Sequence, residues 1–288
     1  MVNTERATDP GYLRAQYGDT ERLRIRADTH RLYSERPNDF VDWMLDQLEP
    51  GPGHLILDVG RGYGIYHHAL ARRGARAIVG LDASVAMVEA AQQRAAAHNL
   101  TVIAIHGDAQ RLPLPTATYD RAMANHMLFH VTDQLAALRE LRRVLKPAGR
   151  VLLATNAADH SQQLWDLHAA AARQLGYIPA APVSARFHLD HLGLVQQVFP
   201  KAERRVRADA FVFPTAEAVL RYMASGLVDA IMDPPADGSH RAALLALMGE
   251  QVEAIIRSGL STGLLRPVDL DAEDGPPGRR RRRKGEQP

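Results

Sequence analysis

Three glycines at alternate positions, Gly60, Gly62 and Gly64, follow the apolar run Leu55-Ile56-Leu57 and the pair Asp58-Val59. A strand ending in such a turn leaves backbone bare enough for a ligand to lie against it. Eighteen residues beyond Gly64, a second apolar run, Ala77 to Leu81, stops at Asp82. Neighbouring strands ending in a glycine turn and a carboxylate would meet at one sheet edge, where open α/β sheets bind ligands. The spacing also limits the ligand. A dinucleotide fingerprint, G-x-G-x-x-G, needs glycine at 65, where the chain has Ile65, and this speaks against a nicotinamide oxidoreductase. His126 and His130 stand four apart and would share a face on a helical turn. A neutral imidazole there could take a proton or contact a substrate; it could equally be a packing group. Histidines at this spacing can also bind zinc, but the sequence places no third ligand and no metal is expected. The chain has no cysteine, which excludes disulfides, a thiolate-held iron–sulfur cluster and a cysteine nucleophile.

The elements that must position these groups alternate. Strands are expected at 54–59, 77–82, 101–106, 120–125 and 150–155, with helices near 63–73, 84–98 and 133–145 between them. Such alternation implies a parallel sheet with helices on both faces. Upstream, 20–34 reads as an arginine-rich helix. Asn38 is a plausible N-cap for a helix whose apolar stripe, Phe40, Val41, Met44, Leu45 and Leu48, should pack on the sheet. Downstream, helices are expected at 160–176, 188–199, after Pro214 and at 240–258, and the loosely alternating Arg204–Val212 segment reads as a late strand. Gly259–Val268 is a weak candidate for a closing strand. The fold class expected is α/β, Rossmann-like and doubly wound, with a mainly parallel sheet. It is divided into an N-terminal helical lid (1–36), a main domain (37–268, core 50–156, helical substrate cap approximately 178–245) and a disordered basic tail (269–288).

The 288 residues are 46% hydrophobic, enough for a sizeable core. Arg279–Arg283 and Lys284 contribute six positive charges; without them the formal charge falls from +2 to −4, so the body is mildly acidic and a nucleic-acid partner is not expected. No apolar run is long enough to span a membrane, and the first residues have no apolar signal region. A cytoplasmic protein is expected, with a homo-oligomer open.

Further segments follow in order. Gly107-Asp108-Ala109-Gln110-Arg111-Leu112-Pro113 forms a loop after the third strand. Tyr119-Asp120 leads into Arg121–Val131, and Leu141–Arg150 into Val151-Leu152-Leu153-Ala154. With D-x-G-x-G-x-G and the acid at 82, this ordered set over roughly residues 50 to 156 resembles the class I S-adenosylmethionine-dependent methyltransferases, in particular the ubiquinone/menaquinone-methyltransferase-like group acting on quinones, lipids and secondary metabolites. The resemblance implies S-adenosylmethionine as cofactor. It implies that Gly60, Gly62 and Gly64 let the backbone approach its methionine and ribose, and that Asp58 orients the turn. Asp82, beside Ala83, would accept both ribose hydroxyls, though an acid before a helix is also a plain N-cap. Asp108 would accept from the adenine amino group, with Ala109 and Gln110 lining that corner, or be only a turn residue. Ala124 and Asn125 would lie beneath the methionine end, and His126 and His130 would face the acceptor.

Methyl transfer mainly requires alignment and exclusion of water, and a base only where the acceptor must lose a proton. Candidate acceptor contacts are Tyr12, Tyr17, Arg24, Asn156, His160, Arg221 and Tyr222, with Trp165 and Tyr222 equally readable as core. Should the arginines at 22–26 turn inward, an anionic small-molecule acceptor is favoured. His67 and His68 read as surface or capping residues. Arg61, long and charged inside a tight turn, is open between solvent, the cofactor carboxylate and an anionic acceptor. The expected function is methyl transfer to an oxygen, nitrogen or carbon of a small molecule. The rivals are a non-catalytic S-adenosylmethionine-binding module, a nicotinamide oxidoreductase and an RNA ribose methyltransferase.

Overall fold

The computed structural model describes residues 5–36 and 39–258. Asn38, the candidate closing strand at 259–268 and the basic tail lie outside the described residues. Two N-terminal helices, α1 (Pro10–Tyr17) and α2 (Glu21–Tyr33), precede α3 (Phe40–Leu48). The chain then alternates through β1 (Leu55–Val59), α4 (His67–Arg72), β2 (Ala77–Asp82), α5 (Val85–Ala97) and β3 (Val102–His106). It continues through β4 (Tyr119–Asn125), α6 (Gln134–Val144) and β5 (Leu145–Ala154). Helices α7 (Gln162–Gln174), α8 (Leu192–Gln196), α9 (Ala216–Ala224) and α10 (Ser239–Arg257) follow.

The strands form one parallel sheet of order β3-β2-β1-β4-β5. Strand order runs outward from β1 through β2 to β3, then reverses across β1 to β4. The C-terminal edge between β1 and β4 is therefore a topological switch point, the natural crevice of an open α/β sheet. Alternation along the strands sends Leu57, Val59, Val79 and Leu81 into the core shared with α6, and Ile56, Ile78 and Met123 into the core shared with α3 and α4. Side-chain caps start the flanking helices: Ser84 accepts from the Met87 N–H at α5, and Asp133 from the Ala136 N–H at α6.

Several expectations need correction. The helix expected over 63–73 begins only at His67, because the turn continues through Tyr66. Arg204–Val212 forms no strand. Its end makes a lone antiparallel bridge, Ser34 to Phe211, at the end of α2, with the Val212 N–H donating to the Tyr33 carbonyl at 2.7 Å. Leu145 already belongs to β5, and Lys146–Gly149 bulge out between the pairings Tyr119–Leu145 and Arg121–Arg150. Of the α3 stripe, Met44, Leu45 and Leu48 are buried, whereas Phe40 stacks on Trp43 and stays exposed.

Helices α7, α9 and α10 enclose a third core with Phe211 and Phe213. His168 on α7 is fully buried beside it, and burial, aided by the Arg6 charge, brings its pKa down to about 4. Unfolded, it would titrate near ~6.5. Between these values the unfolded chain binds the extra proton, so its contribution is present above pH ~6.5 and lost as pH falls toward 4. The contribution is on the order of 3 kcal/mol. His168→Leu is expected to flatten the fall of the urea midpoint between pH 6.5 and pH 4; an equally steep fall in wild type and variant would contradict this burial cost.

Candidate active site

At the end of β1 the chain turns through Gly60, Gly62 and Gly64 with φ of 67°, 55° and 78°. Only glycine adopts this region freely, so the turn depends on all three. Their neighbours separate their roles. A Cβ at Gly60 would lie 2.6 Å from Met127, whereas at Gly62 it would meet only Leu23 of α2 at 3.5 Å. Gly64 is a packing glycine: a Cβ there would strike the His67 ring at 2.6 Å. The expectation that Gly64 admits a ligand is corrected accordingly, since a side chain already covers that face.

His67 is likewise no surface residue. Its Nε2 donates to the Asp58 carboxylate at 3.1 Å, and both residues are buried. Asp58 therefore orients the turn through His67, at the head of α4. Arg61 points inward, 4% exposed, passing over Gly80 of β2 to donate from Nη2 to the Val88 carbonyl at 3.2 Å. Its Nε and Nη1 have no hydrogen-bond partner. Burial lowers its pKa, opposed by Asp82 and Asp58.

Asp82 closes β2 beside the turn. One carboxylate oxygen accepts from the Gly62 N–H and the other from the Ser84 N–H, both at 2.9 Å. The cap of α5 is Ser84, so Asp82 is left with lone pairs facing the cleft. Desolvation raises its pKa, and the bonds from Ser84 and Gly62 and the Arg61 charge oppose that rise. The Ser84 hydroxyl also donates to the Tyr17 carbonyl at 2.9 Å, pinning the end of α1 over this strand end. Beyond β3, the Asp108 carboxylate accepts from the Gln110 backbone at 2.9 Å and its amide side chain at 3.1 Å, with Ala109 buried between them.

On the opposite side of the switch point, β4 ends at Asn125. Its side-chain amide is buried, with neither oxygen nor nitrogen hydrogen-bonded. An orphaned amide lining a cavity is costly unless something binds it. Ala124, by contrast, turns its side chain into the sheet core, as alternation along β4 requires. His126 follows in the left-handed region, φ 53°, held by its N–H donating to the Ala154 carbonyl at 2.8 Å. Burial, then the nearby His160 and His30, bring its pKa down to about 4. Burial lowers His160 to about 4 as well, and lowers His30. This wall of the cleft is thus made of uncharged imidazoles at neutral pH, with Phe40 against His126.

His130 is bonded on both sides. The Ala7 carbonyl can only accept, so Nδ1 donates to it, at 2.8 Å; Nε2 then accepts from the Tyr17 hydroxyl at 2.7 Å. Burial puts His130 at about 4 and Tyr17 up to about 12. His130 therefore reaches the cleft through Tyr17.

These groups share a cleft of about 2520 Å³, open to solvent and larger than the ~300–1,000 Å³ of a single drug-sized site. Asp58, Gly60, Gly62, Asp82, Ala83, Asp108, Ala109, Gln110, Asn125, His126 and His130 line it, as do Tyr12, Tyr17, Asn156, His160 and Tyr222. Arg24 and Arg221 are exposed and do not line it. On α2 the cavity face is Leu23, Arg26, Ala27 and His30, at helical spacing, which turns Arg24 outward; on α9 it is Tyr222. Sequence reasoning named Arg24 where the cavity takes Arg26, left the course of Arg61 open and missed His30. The i, i+4 spacing of Arg26 and His30 was a usable signal; Arg61 had none. Among the described residues no group of three or more His, Asp or Glu could hold a metal ion, and no helix is long and apolar enough to cross a membrane.

A parallel sheet with a glycine turn and a strand-end carboxylate on adjacent strands at its switch point defines a Rossmann-like nucleoside-binding α/β protein. Residues 57–153 match the family model described as "Methyltransferase domain", and this part of the chain is similar to S-adenosylmethionine-dependent methyltransferases. The chain is 37% identical over 128 residues to malonyl-[acyl-carrier protein] O-methyltransferase of Serratia marcescens, covering 44% of this chain and 48% of that protein. It is 37% identical over 133 residues to the ubiquinone/menaquinone biosynthesis C-methyltransferase UbiE of Caulobacter sp. (strain K31), covering 43% and 49%. A solved structure of a SAM dependent methyltransferase from Aquifex aeolicus is similar with a TM-score of 0.47 and 19% identity, over 62% of this chain and 86% of that one. The chain spans about half the length of the curated relatives it matches.

Proposed function

We propose that this protein transfers a methyl group from S-adenosylmethionine to a small-molecule acceptor. The observation that carries the reading is the pairing, across one switch point, of the Asp82 carboxylate beside the Gly60–Gly62 turn with the orphaned Asn125 amide. The first suits a ribose diol, and the second suits a ligand end that both donates and accepts. Bound there, S-adenosylmethionine would supply an activated methyl group on a cationic sulfur, open to in-line displacement. Asp82 would hold the ribose and Asp108 with Gln110 the adenine.

The N-terminal helices act as the lid over this site. Tyr17 is tied to Ser84, and Leu23 lies against Gly62, so the same segment that covers the cofactor also excludes water from the acceptor. Helix α9, within the segment expected as the cap, and α7 before it place Tyr222 and Trp165 on the cavity. His126 and the Tyr17–His130 pair are the groups able to accept a proton from the acceptor. With a pKa of about 4, His126 is a weak base, which suits an acceptor that is already nucleophilic, and alignment then carries most of the rate.

Titration calorimetry with S-adenosylhomocysteine and NAD tests the assignment. Binding of the first alone is the expected result, and binding of NAD instead overturns it. Methyl transfer assayed on quinones, phenols and carboxylic acids then separates enzyme from binding module: product is expected, and tight binding with no turnover across the panel favours the module.

A further inference from the structure

Helix α2 carries several arginines, and the fold sorts them. Arg22 pairs with Asp229 at 2.7 Å. Arg24 is exposed, off the cavity. Arg26 lines the cavity one turn before His30. Its Nε donates to the Arg22 carbonyl and its Nη2 to the Gln16 amide oxygen, both at 3.1 Å. Gln16 is itself buried, so this second bond fixes the guanidinium plane. The Tyr17 hydroxyl is a third partner of the guanidinium, and its five N–H donors outnumber these three acceptors, which leaves donors for a carboxylate.

The surroundings leave that charge unbalanced. Among the described residues Arg26 forms no ion pair with a carboxylate, although Arg22, Arg31, Arg72, Arg73 and Arg241 each do. Tyr12, Tyr17, Tyr222 and His130 feel its charge. Burial raises the three phenols and lowers the imidazole, so all four are neutral at physiological pH and cannot serve as counter-ions. Arg6, the nearby cation above Tyr12, is committed to the carbonyls of Asp229 and Ala181 at 2.9 and 3.1 Å. A partly desolvated guanidinium without a counter-ion calls for an anion, and a single free guanidinium matches a single negative charge better than a phosphate dianion.

We infer that Arg26 binds a carboxylate of the methyl acceptor, so that the acceptor is a monoanionic small molecule held with its charge against α2. The inference rests on the methyltransferase reading of the same cleft. It adds a specificity residue on the lid, held in place by Gln16 and Tyr17.

Benzoate and its neutral counterpart benzamide are titrated into the full chain, with and without saturating S-adenosylhomocysteine. Tryptophan fluorescence serves as readout because Trp43 and Trp165 line the cavity. Wild type is expected to prefer benzoate by at least ~10-fold, the worth of a charged hydrogen-bonded pair. Arg26→Gln should abolish the preference, Arg26→Lys should weaken it by losing the fork, and Arg24→Gln should leave it intact. S-adenosylhomocysteine affinity should stay the same in all four proteins. Equal binding of the two probes by wild type, binding of neither, or a preference that survives Arg26→Gln overturns the inference. Failure of S-adenosylhomocysteine to bind wild type would instead strike the methyltransferase reading, and the titration without it still reports on Arg26.

Discussion

Asp82→Ala should weaken S-adenosylhomocysteine binding about 100-fold, with the chain still folded. The carboxylate has two tasks. Its oxygens accept from Gly62 and Ser84, setting the glycine turn and the start of α5, and its remaining lone pairs are the acceptors placed for a diol. Losing a charged acceptor for two hydroxyls costs about 3 kcal/mol, which is the factor of about 100. Asp82→Asn keeps the shape and part of the backbone bonding, so it should lose less. Calorimetry gives the affinities, and circular dichroism with a urea midpoint verifies the fold. An alanine variant that binds as tightly as wild type would remove the basis for placing a ribose at this strand end.

The second large effect is expected far from any ligand contact. Gly80 sits in the middle of β2 with no positive φ, so its need for glycine is steric. A Cβ there would lie 2.1 Å from Cδ and 2.7 Å from Nε of Arg61. Arg61 is 4% exposed, which leaves its side chain little room to move aside. Gly80→Ala should therefore lower stability by about 2 kcal/mol, as overpacked interiors do, and loosen cofactor binding with it. In an Arg61→Ala background the same substitution should be nearly neutral, because the colliding side chain is gone. Urea midpoints of the wild type, both single variants and the double variant measure the coupling. Strict additivity would show that the two residues do not meet.

Residues whose roles follow from neighbours along the chain were legible from one sequence. The strand runs ending at Val59, Asp82 and Asn125, the glycine turn and the α5 and α6 helices are set by periodicity of two or three to four residues and by local turn chemistry. The parallel sheet followed from that alternation, and with it the meeting of Asp82 and the turn at one edge. Gly64 and Ala124 show the limit of this reasoning. Both stand in the right motif, but the motif does not say which face each presents, and His67 and the sheet core had already claimed those faces.

The roles of the charged and aromatic residues were decided by contacts between distant segments. Ala7 and Tyr17 reach His130 across more than a hundred residues and fix its tautomer. Asp58 draws His67 into the interior, and Gly80 makes the room that turns Arg61 inward. The rotation of α2 against the cavity exchanges Arg24 for Arg26. By itself the sequence determined the sheet and its ligand edge, since backbone geometry and local spacing suffice for those, while the class of cofactor came from the resemblance of its ordered motifs. Only the tertiary structure decided which side chains face the acceptor, because a long flexible side chain points where burial, partners and free volume allow, and all three come from the rest of the chain.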